Sequence, residues 1–235
     1  MAEAVLHFKN RRQAGQKLAE ALNEYRGTEA VVCGLPRGGV IIGAEIARAL
    51  DLPLDFLAVR KVGHPDLPEY AIAAVSEGGE LVTNELAVAS VDQADFERQV
   101  ERERLEAGRR RELYARGFAR PTVAGKTAIV VDDGVATGLT MRSAIHDLRQ
   151  RGAREIVVAV PVAPDLAVAV LKNEVARVVC LCPDPNFVAI GYYYDEFPQV
   201  PDREVIMCLR KINQHEKRIK GARGIYPRAR SLSKR

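Results

Sequence analysis

Ala128-Ile129-Val130-Val131-Asp132-Asp133-Gly134-Val135-Ala136-Thr137-Gly138-Leu139-Thr140 begins as an apolar strand, ends that strand in two carboxylates, and turns through Gly and Thr residues into a helix. A run that is apolar throughout, rather than alternating, is expected of a strand covered on both faces, and such strands belong to mostly parallel sheets. Open α/β sheets place their ligands just outside the carboxyl ends of the strands. The two acids therefore stand where such a sheet carries its chemistry.

The rest of the chain repeats the pattern. Strand-like runs at Thr127 to Val131, Ala30 to Gly34, Leu54 to Arg60, Glu155 to Val160 and Arg177 to Leu181 alternate with helical periods at Arg11 to Tyr25, Gly39 to Leu50, Gln93 to Arg116, Leu139 to Arg151 and Pro164 to Asn173. Alternation of this kind predicts βαβ crossovers, and so an α/β fold with a mostly parallel five-stranded sheet flanked by helices. Ala71 to Val75 and Glu80 to Thr83, joined by Glu77-Gly78-Gly79, read as a hairpin. Lys61 to Tyr70, with Gly63, Pro65 and Pro68, reads as a mobile loop before it. The Glu- and Arg-dense helix from Gln93 to Arg116, including Arg109, Arg110 and Arg111, reads as a solvent-facing element laced with short-range ion pairs.

Composition narrows the function classes. At 235 residues the chain suits one sizeable domain. Its longest apolar runs, such as Ile156 to Ala163, fall far short of the roughly 18 residues that cross a bilayer, and no signal-peptide core is visible. A soluble, cytoplasmic protein without a membrane partner is expected. Cys33, Cys180, Cys182 and Cys208 lack CxxC spacing and read as buried free thiols. Cys180 and Cys182 share a strand face, but no His or Cys nearby in sequence completes a soft-metal site. The net charge of +4 is concentrated in Lys211 to Arg235, with nine basic residues against one acid. The body is left mildly acidic, so a solvated, partly disordered tail is favoured over a nucleic-acid binder. The expected organisation is a domain at 1–210 and a basic tail at 211–235. A homodimer is compatible with this composition.

The turn after Asp133 suits a phosphate, because helix N-termini present unpaired amides at the positive end of the macrodipole. Gly134 and Gly138 permit the tight turn and close approach, and Thr137 and Thr140 add hydroxyl donors. Two neighbouring aspartates would repel that phosphate. They make sense if each accepts from a ribose hydroxyl, at about 1.5–3 kcal/mol per charged hydrogen bond, and if the sugar becomes cationic during reaction. A ribose 5-phosphate reacting at its anomeric carbon meets these conditions.

The string from Val130 to Thr140 closely resembles the phosphoribosyl-pyrophosphate motif of type I phosphoribosyltransferases. The resemblance implies that fold, with a flexible hairpin lid and a small hood at about 183–210 plus N-terminal residues. It implies that Asp132 and Asp133 hold the ribose diol as the catalytic pair, while Val135, Ala136, Thr137, Gly138, Leu139 and Thr140 wrap the 5′-phosphate beside Gly134. Gly34-Leu35-Pro36-Arg37-Gly38-Gly39 looks like the family's pyrophosphate loop, and Val59 to Pro65 like its lid, with Lys61 reaching the pyrophosphate. His64 reads more readily as a loop residue than as an acid or base. Asn186 to Phe197 resembles the segment of hypoxanthine-guanine phosphoribosyltransferase in which an aromatic residue stacks on the base and an aspartate helps bind metal. Phe187 and Asp195 are the matching positions, with core packing of Phe187 equally open.

Mg²⁺ is the implied cofactor, arriving with phosphoribosyl pyrophosphate, and a nitrogen nucleophile such as a nucleobase is the implied acceptor. Two departures leave the acceptor open. Ala136 stands where 6-oxopurine enzymes carry an acidic proton acceptor, and Pro161-Val162-Ala163-Pro164 replaces the lysine that reads a purine oxygen. The layout is similar to a stand-alone group of predicted phosphoribosyltransferases. The alternatives are a non-catalytic sensor of phosphoribosyl pyrophosphate that binds nucleic acid through its tail, and a ribose-phosphate hydrolase or binding module.

Overall fold

The computed structural model describes residues 6–117 and 120–222. The elements run α1 (Arg11–Ala21), β1 (Val31–Gly34), α2 (Gly38–Leu50), β2 (Leu54–Phe56), β3 (Val59–Gly63), β4 (Ala71–Ser76), β5 (Leu81–Thr83), α3 (Glu85–Val88) and α4 (Gln93–Ala115). They continue with β6 (Thr127–Val131), α5 (Leu139–Gln150), β7 (Glu155–Pro164), α6 (Asp165–Lys172), β8 (Arg177–Asp184) and α7 (Asp202–Ala222). Short 3₁₀ turns occupy Asn23–Tyr25 and Ile190–Tyr193.

Five strands form one parallel sheet in the order β2-β1-β6-β7-β8. Register explains why the central strands β1, β6 and β7 are apolar almost throughout. Val32, Ile129, Val131, Val157 and Ala159 enter a core shared with α1, α2 and α7, whereas Val31, Cys33, Ala128, Val130, Ile156 and Val158 enter a second core shared with α5 and α6. Successive side chains point to opposite faces, and both faces are covered. Each such Val or Ile contributes about 1.5–3 kcal/mol through burial.

β3, β4 and β5 form a separate antiparallel sheet, with Val62, Ile72 and Val75 packed on Phe96 of α4. This corrects the single strand expected from Leu54 to Arg60. The run divides at Leu57 and Ala58, after which β3 joins the other sheet, so Lys61 lies on a strand rather than in a loop. Asp55 lies within β2, just before the division. It is fully buried and accepts from Arg120 Nε at 2.9 Å and Arg151 Nη2 at 2.7 Å. Arg120 also pairs with Glu77 at the hairpin turn.

Helix ends follow local chemistry. Asn10 caps α1 by accepting from the Gln13 amide, and Asp92 caps α4 by accepting from the Asp95 amide. Asn23–Tyr25 departs from the single helix expected to Tyr25. α7 passes residue 210 without a break. Ile212 is buried there, and Asn213 Nδ2 donates to the carbonyls of Leu209 and Leu54. The expectation for the basic tail falls partly on residues 223–235, which lie outside the described residues. Among the described residues no helix is long and apolar enough to cross a membrane.

Candidate active site

β1 and β6 are neighbours, yet the chain leaves β1 toward β2 on one side and later enters β6 on the other. That reversal opens a crevice at the strands' carboxyl ends. The loops after β1 and β6 both enter it. The Leu35 amide donates to the Val131 carbonyl at 2.8 Å, which fastens one loop to the other. The Pro36–Arg37 peptide is cis.

The glycines of the first loop are required by this contact. A methyl group on Gly38 would overlap Oδ2 of Asp133 and lie 2.8 Å from Nε of Arg11. One on Gly39 would overlap the Val131 carbonyl oxygen and lie 2.8 Å from Cα of Asp132. Backbone cannot yield as a flexible side chain can. Gly39→Ala is therefore expected to destabilise the fold by about 1–3 kcal/mol, the usual cost of overpacking, as read by chemical denaturation.

A cavity of about 750 Å³ lies over these loops. Pro36, Arg37, Gly38, Lys61, Asp132, Asp133, Gly134, Val135, Ala136, Thr137, Gly138 and Thr140 line it, so two distant sequence segments and one hairpin lysine share a single space. Gly39 does not line the cavity but lies against the Val131 carbonyl and Asp132, and Leu139 turns down into the core. The Val135 amide is occupied by the Val162 carbonyl at 3.0 Å, so Val135 supplies shape to the cradle and not a hydrogen bond. Gly138 takes φ +82° at the start of α5, a backbone geometry that suits glycine. The first amides of α5 then have no intrahelical acceptor.

The two acids sit in different surroundings. Asp133 pairs with Nε of Arg11 at 2.8 Å, while its amide donates to Asp132 Oδ1 at 2.8 Å. Burial, and then the charge of Asp133, push the Asp132 carboxyl well above the usual carboxylate range, with Lys61 pulling the other way. Lys61 is thus within electrostatic reach of the pair.

Phe187 and Asp195 do not line the cavity. Phe187 stacks on Tyr193 at 5.7 Å, consistent with the core-packing reading, and the chain between them delivers Ile190 to the cavity instead. Asp195 is exposed, with its amide donating to the Phe8 carbonyl. Among the described residues no group of three or more His, Cys, Asp or Glu forms a metal cage.

Several cavity residues had no motif to announce them. Arg11 comes from α1, and Gln199 and Val200 from the segment before α7. Gln99, Arg102, Glu103 and Arg110 come from α4, which forms a cavity wall as well as a solvated face. Glu103 bridges Arg60 of β3 at 2.9 Å and Arg102 at 3.2 Å. His64 also lines the cavity, its Nδ1 accepting from the Asp66 amide.

A family model described as phosphoribosyl transferase domain matches residues 1–196. The crystal structure of TT1426 from Thermus thermophilus is similar at a TM-score of 0.73 and 45% identity, covering 88% of this chain and 99% of that one. Two curated Mycobacterium tuberculosis proteins, provisionally named phosphoribosyl transferases, are 40% identical over 209 residues, 88% of this chain and 47% of theirs. The chain spans about half the length of these curated relatives.

Proposed function

The chain belongs to the type I phosphoribosyltransferase family, and from that premise we propose that it transfers a 5-phosphoribosyl group from Mg²⁺-bound phosphoribosyl pyrophosphate to a nitrogen nucleophile, releasing pyrophosphate. One observation carries the reading. The loop at Pro36 to Gly39 and the acids at Asp132 and Asp133 meet so closely that no side chain fits between them, which supports reading the turn as an anion site beside a diol-binding pair.

In this reading Asp132 and Asp133 accept from the ribose hydroxyls. The amides of residues 136–140, with the hydroxyls of Thr137 and Thr140, hold the 5′-phosphate at the positive end of α5. Arg37, the amides of Gly38 and Gly39, and Lys61 hold the pyrophosphate as it departs. Charge building at the anomeric carbon faces the two acids, so acceleration comes from electrostatics and positioning. Mg²⁺ would need few protein ligands beside phosphate oxygens and waters, which suits a cavity that offers the Asp132 and Asp133 carboxylates and, among the described residues, no cage. Bound to the diphosphate, Mg²⁺ would arrive with the substrate. The acceptor approaches from the side lined by Ile190, Gln199 and Val200.

The test is pyrophosphate release across a panel of nucleobases and other nitrogen nucleophiles, run beside nucleic-acid binding at increasing salt. Acceptor-dependent release supports transfer. Steep salt-dependent nucleic-acid binding without turnover supports the sensor alternative, and release without acceptor supports hydrolysis. Lys61→Ala is expected to raise the Kd for Mg²⁺-bound phosphoribosyl pyrophosphate about ten- to a hundredfold, the worth of one charged hydrogen bond. It should leave ribose 5-phosphate binding unchanged, as titration calorimetry would show.

A further inference from the structure

Asp133 is held from the same side at two points. Arg11 Nε donates to its Oδ2 at 2.8 Å, and the Tyr194 hydroxyl donates to its carbonyl oxygen at 2.7 Å. The two donors come from segments far apart in the chain, yet both rest on Phe197. The Arg11 guanidinium lies 3.8 Å above the Phe197 ring, and Tyr194 stacks against the same ring at 4.9 Å. Arg11 Nη1 also donates to the Pro198 carbonyl at 2.8 Å.

The Arg11 side chain is only 11% exposed. A guanidinium so far withdrawn from water needs its donors and its face occupied, and here one carboxylate, one carbonyl and one ring occupy them. Phe197 itself does not line the cavity. A third contact joins the same elements, because a methyl group on Gly134 would lie 2.8 Å from Cγ2 of Ile190. The segment from Ile190 to Pro198 therefore bears directly on the loop that carries the two acids.

We propose that Arg11 and Tyr194 are positioning residues that fix Asp133 for the ribose, and that Phe197 joins them into a clamp coupling the 190–200 segment to the sugar grip. The proposal rests on the functional reading given above. Its consequence is reciprocal. Whatever ligand orders the face of Ile190, Gln199 and Val200 tightens binding of the sugar diphosphate, and the sugar diphosphate tightens that ligand by the same factor. Neither Arg11 nor Phe197 belongs to the motif loops, so sequence pattern alone gives them no such role.

A double-mutant cycle tests the clamp. Titration calorimetry with Mg²⁺-bound phosphoribosyl pyrophosphate would be run on the unsubstituted chain, Arg11→Met, Phe197→Leu and the double variant, with melting midpoints alongside. Phe197→Leu keeps most of the apolar volume and removes the aromatic face. It is expected to weaken binding about three- to tenfold in the unsubstituted chain but by less than about twofold beside Arg11→Met, the signature of residues acting as one unit. Arg11→Lys should recover part of the Arg11→Met loss, and it replaces Met in the cycle if that variant unfolds. Unchanged binding in Phe197→Leu, or losses that multiply independently, would overturn the clamp even if melting points fall. An unsubstituted chain that binds no phosphoribosyl pyrophosphate would overturn the functional reading instead, and the clamp with it.

Discussion

Asp132→Asn combined with Asp133→Asn is expected to lower the affinity for Mg²⁺-bound phosphoribosyl pyrophosphate by about 10²- to 10⁴-fold, since two charged hydrogen bonds at about 1.5–3 kcal/mol each are lost. Turnover should disappear with it. The single variants separate binding from stability. The fold raises the Asp132 carboxyl above its ordinary value through burial and the neighbouring charge of Asp133. A carboxyl raised in this way ionises at the expense of the fold. Its favourable contribution is fully present below the unfolded value, about 3.9, and is lost as pH rises through the folded value. Asp132→Asn should therefore raise the melting midpoint at neutral pH, with the gain shrinking as pH falls and gone below about pH 4. Asp133→Asn should do the opposite at neutral pH, because it strips the largely buried Arg11 guanidinium of its carboxylate. Differential scanning calorimetry across pH checks both signs.

Asp55→Ala is expected to cost about 3–5 kcal/mol of folding free energy, the usual penalty for breaking a buried ion pair from one side. Asp55 is fully buried and binds both Arg120 and Arg151. Among the described residues, removing it leaves Arg120 with Glu77 as its carboxylate partner and Arg151 with Asp147 at 3.7 Å. The loss should reach the cavity as well. Glu77 and Ser76 stand at the base of the hairpin that carries Lys61, and Ser76 Oγ donates to Asp147 of α5 at 3.1 Å. Urea denaturation measures the stability change. Calorimetry on the folded fraction should show weaker binding of the sugar diphosphate, and an Asp55→Ala chain as stable as the parent would remove this network from the account.

The parallel sheet was legible because apolar runs such as Thr127–Val131 carry their double burial in plain view. β7 and β8 run past their expected ends, to Pro164 and Asp184, since pairing from Val162 to Pro164 continues the ladder past the periodic signal. The division between β2 and β3 was not legible. Leu54 to Arg60 is one apolar-rich run, and only the tertiary partners of Asp55 and Arg60 show that it serves two sheets.

The cavity divides in the same way. Local strings announce the loops at Pro36 to Gly39 and Asp132 to Thr140, because amide cradles and close backbone approach demand Gly and Thr at fixed spacing. Arg11, Arg102 and Arg110 carry no such mark. On a helix as charged as α4, an arginine facing a cavity and one facing solvent look alike in sequence, and only the packing of Phe96 on the hairpin decides which face turns inward. Phe187 could be read from the sequence either as a base-stacking residue or as a core residue; it stacks on Tyr193, while Ile190 lines the cavity.

A crystal structure of the chain with Mg²⁺-bound phosphoribosyl pyrophosphate tests the central claim most directly. The account requires the ribose hydroxyls on Asp132 and Asp133, the 5′-phosphate against the amides of residues 136–140, and the pyrophosphate between Arg37 and Lys61. A ligand bound elsewhere, or a crevice left empty at saturating concentration, would contradict it.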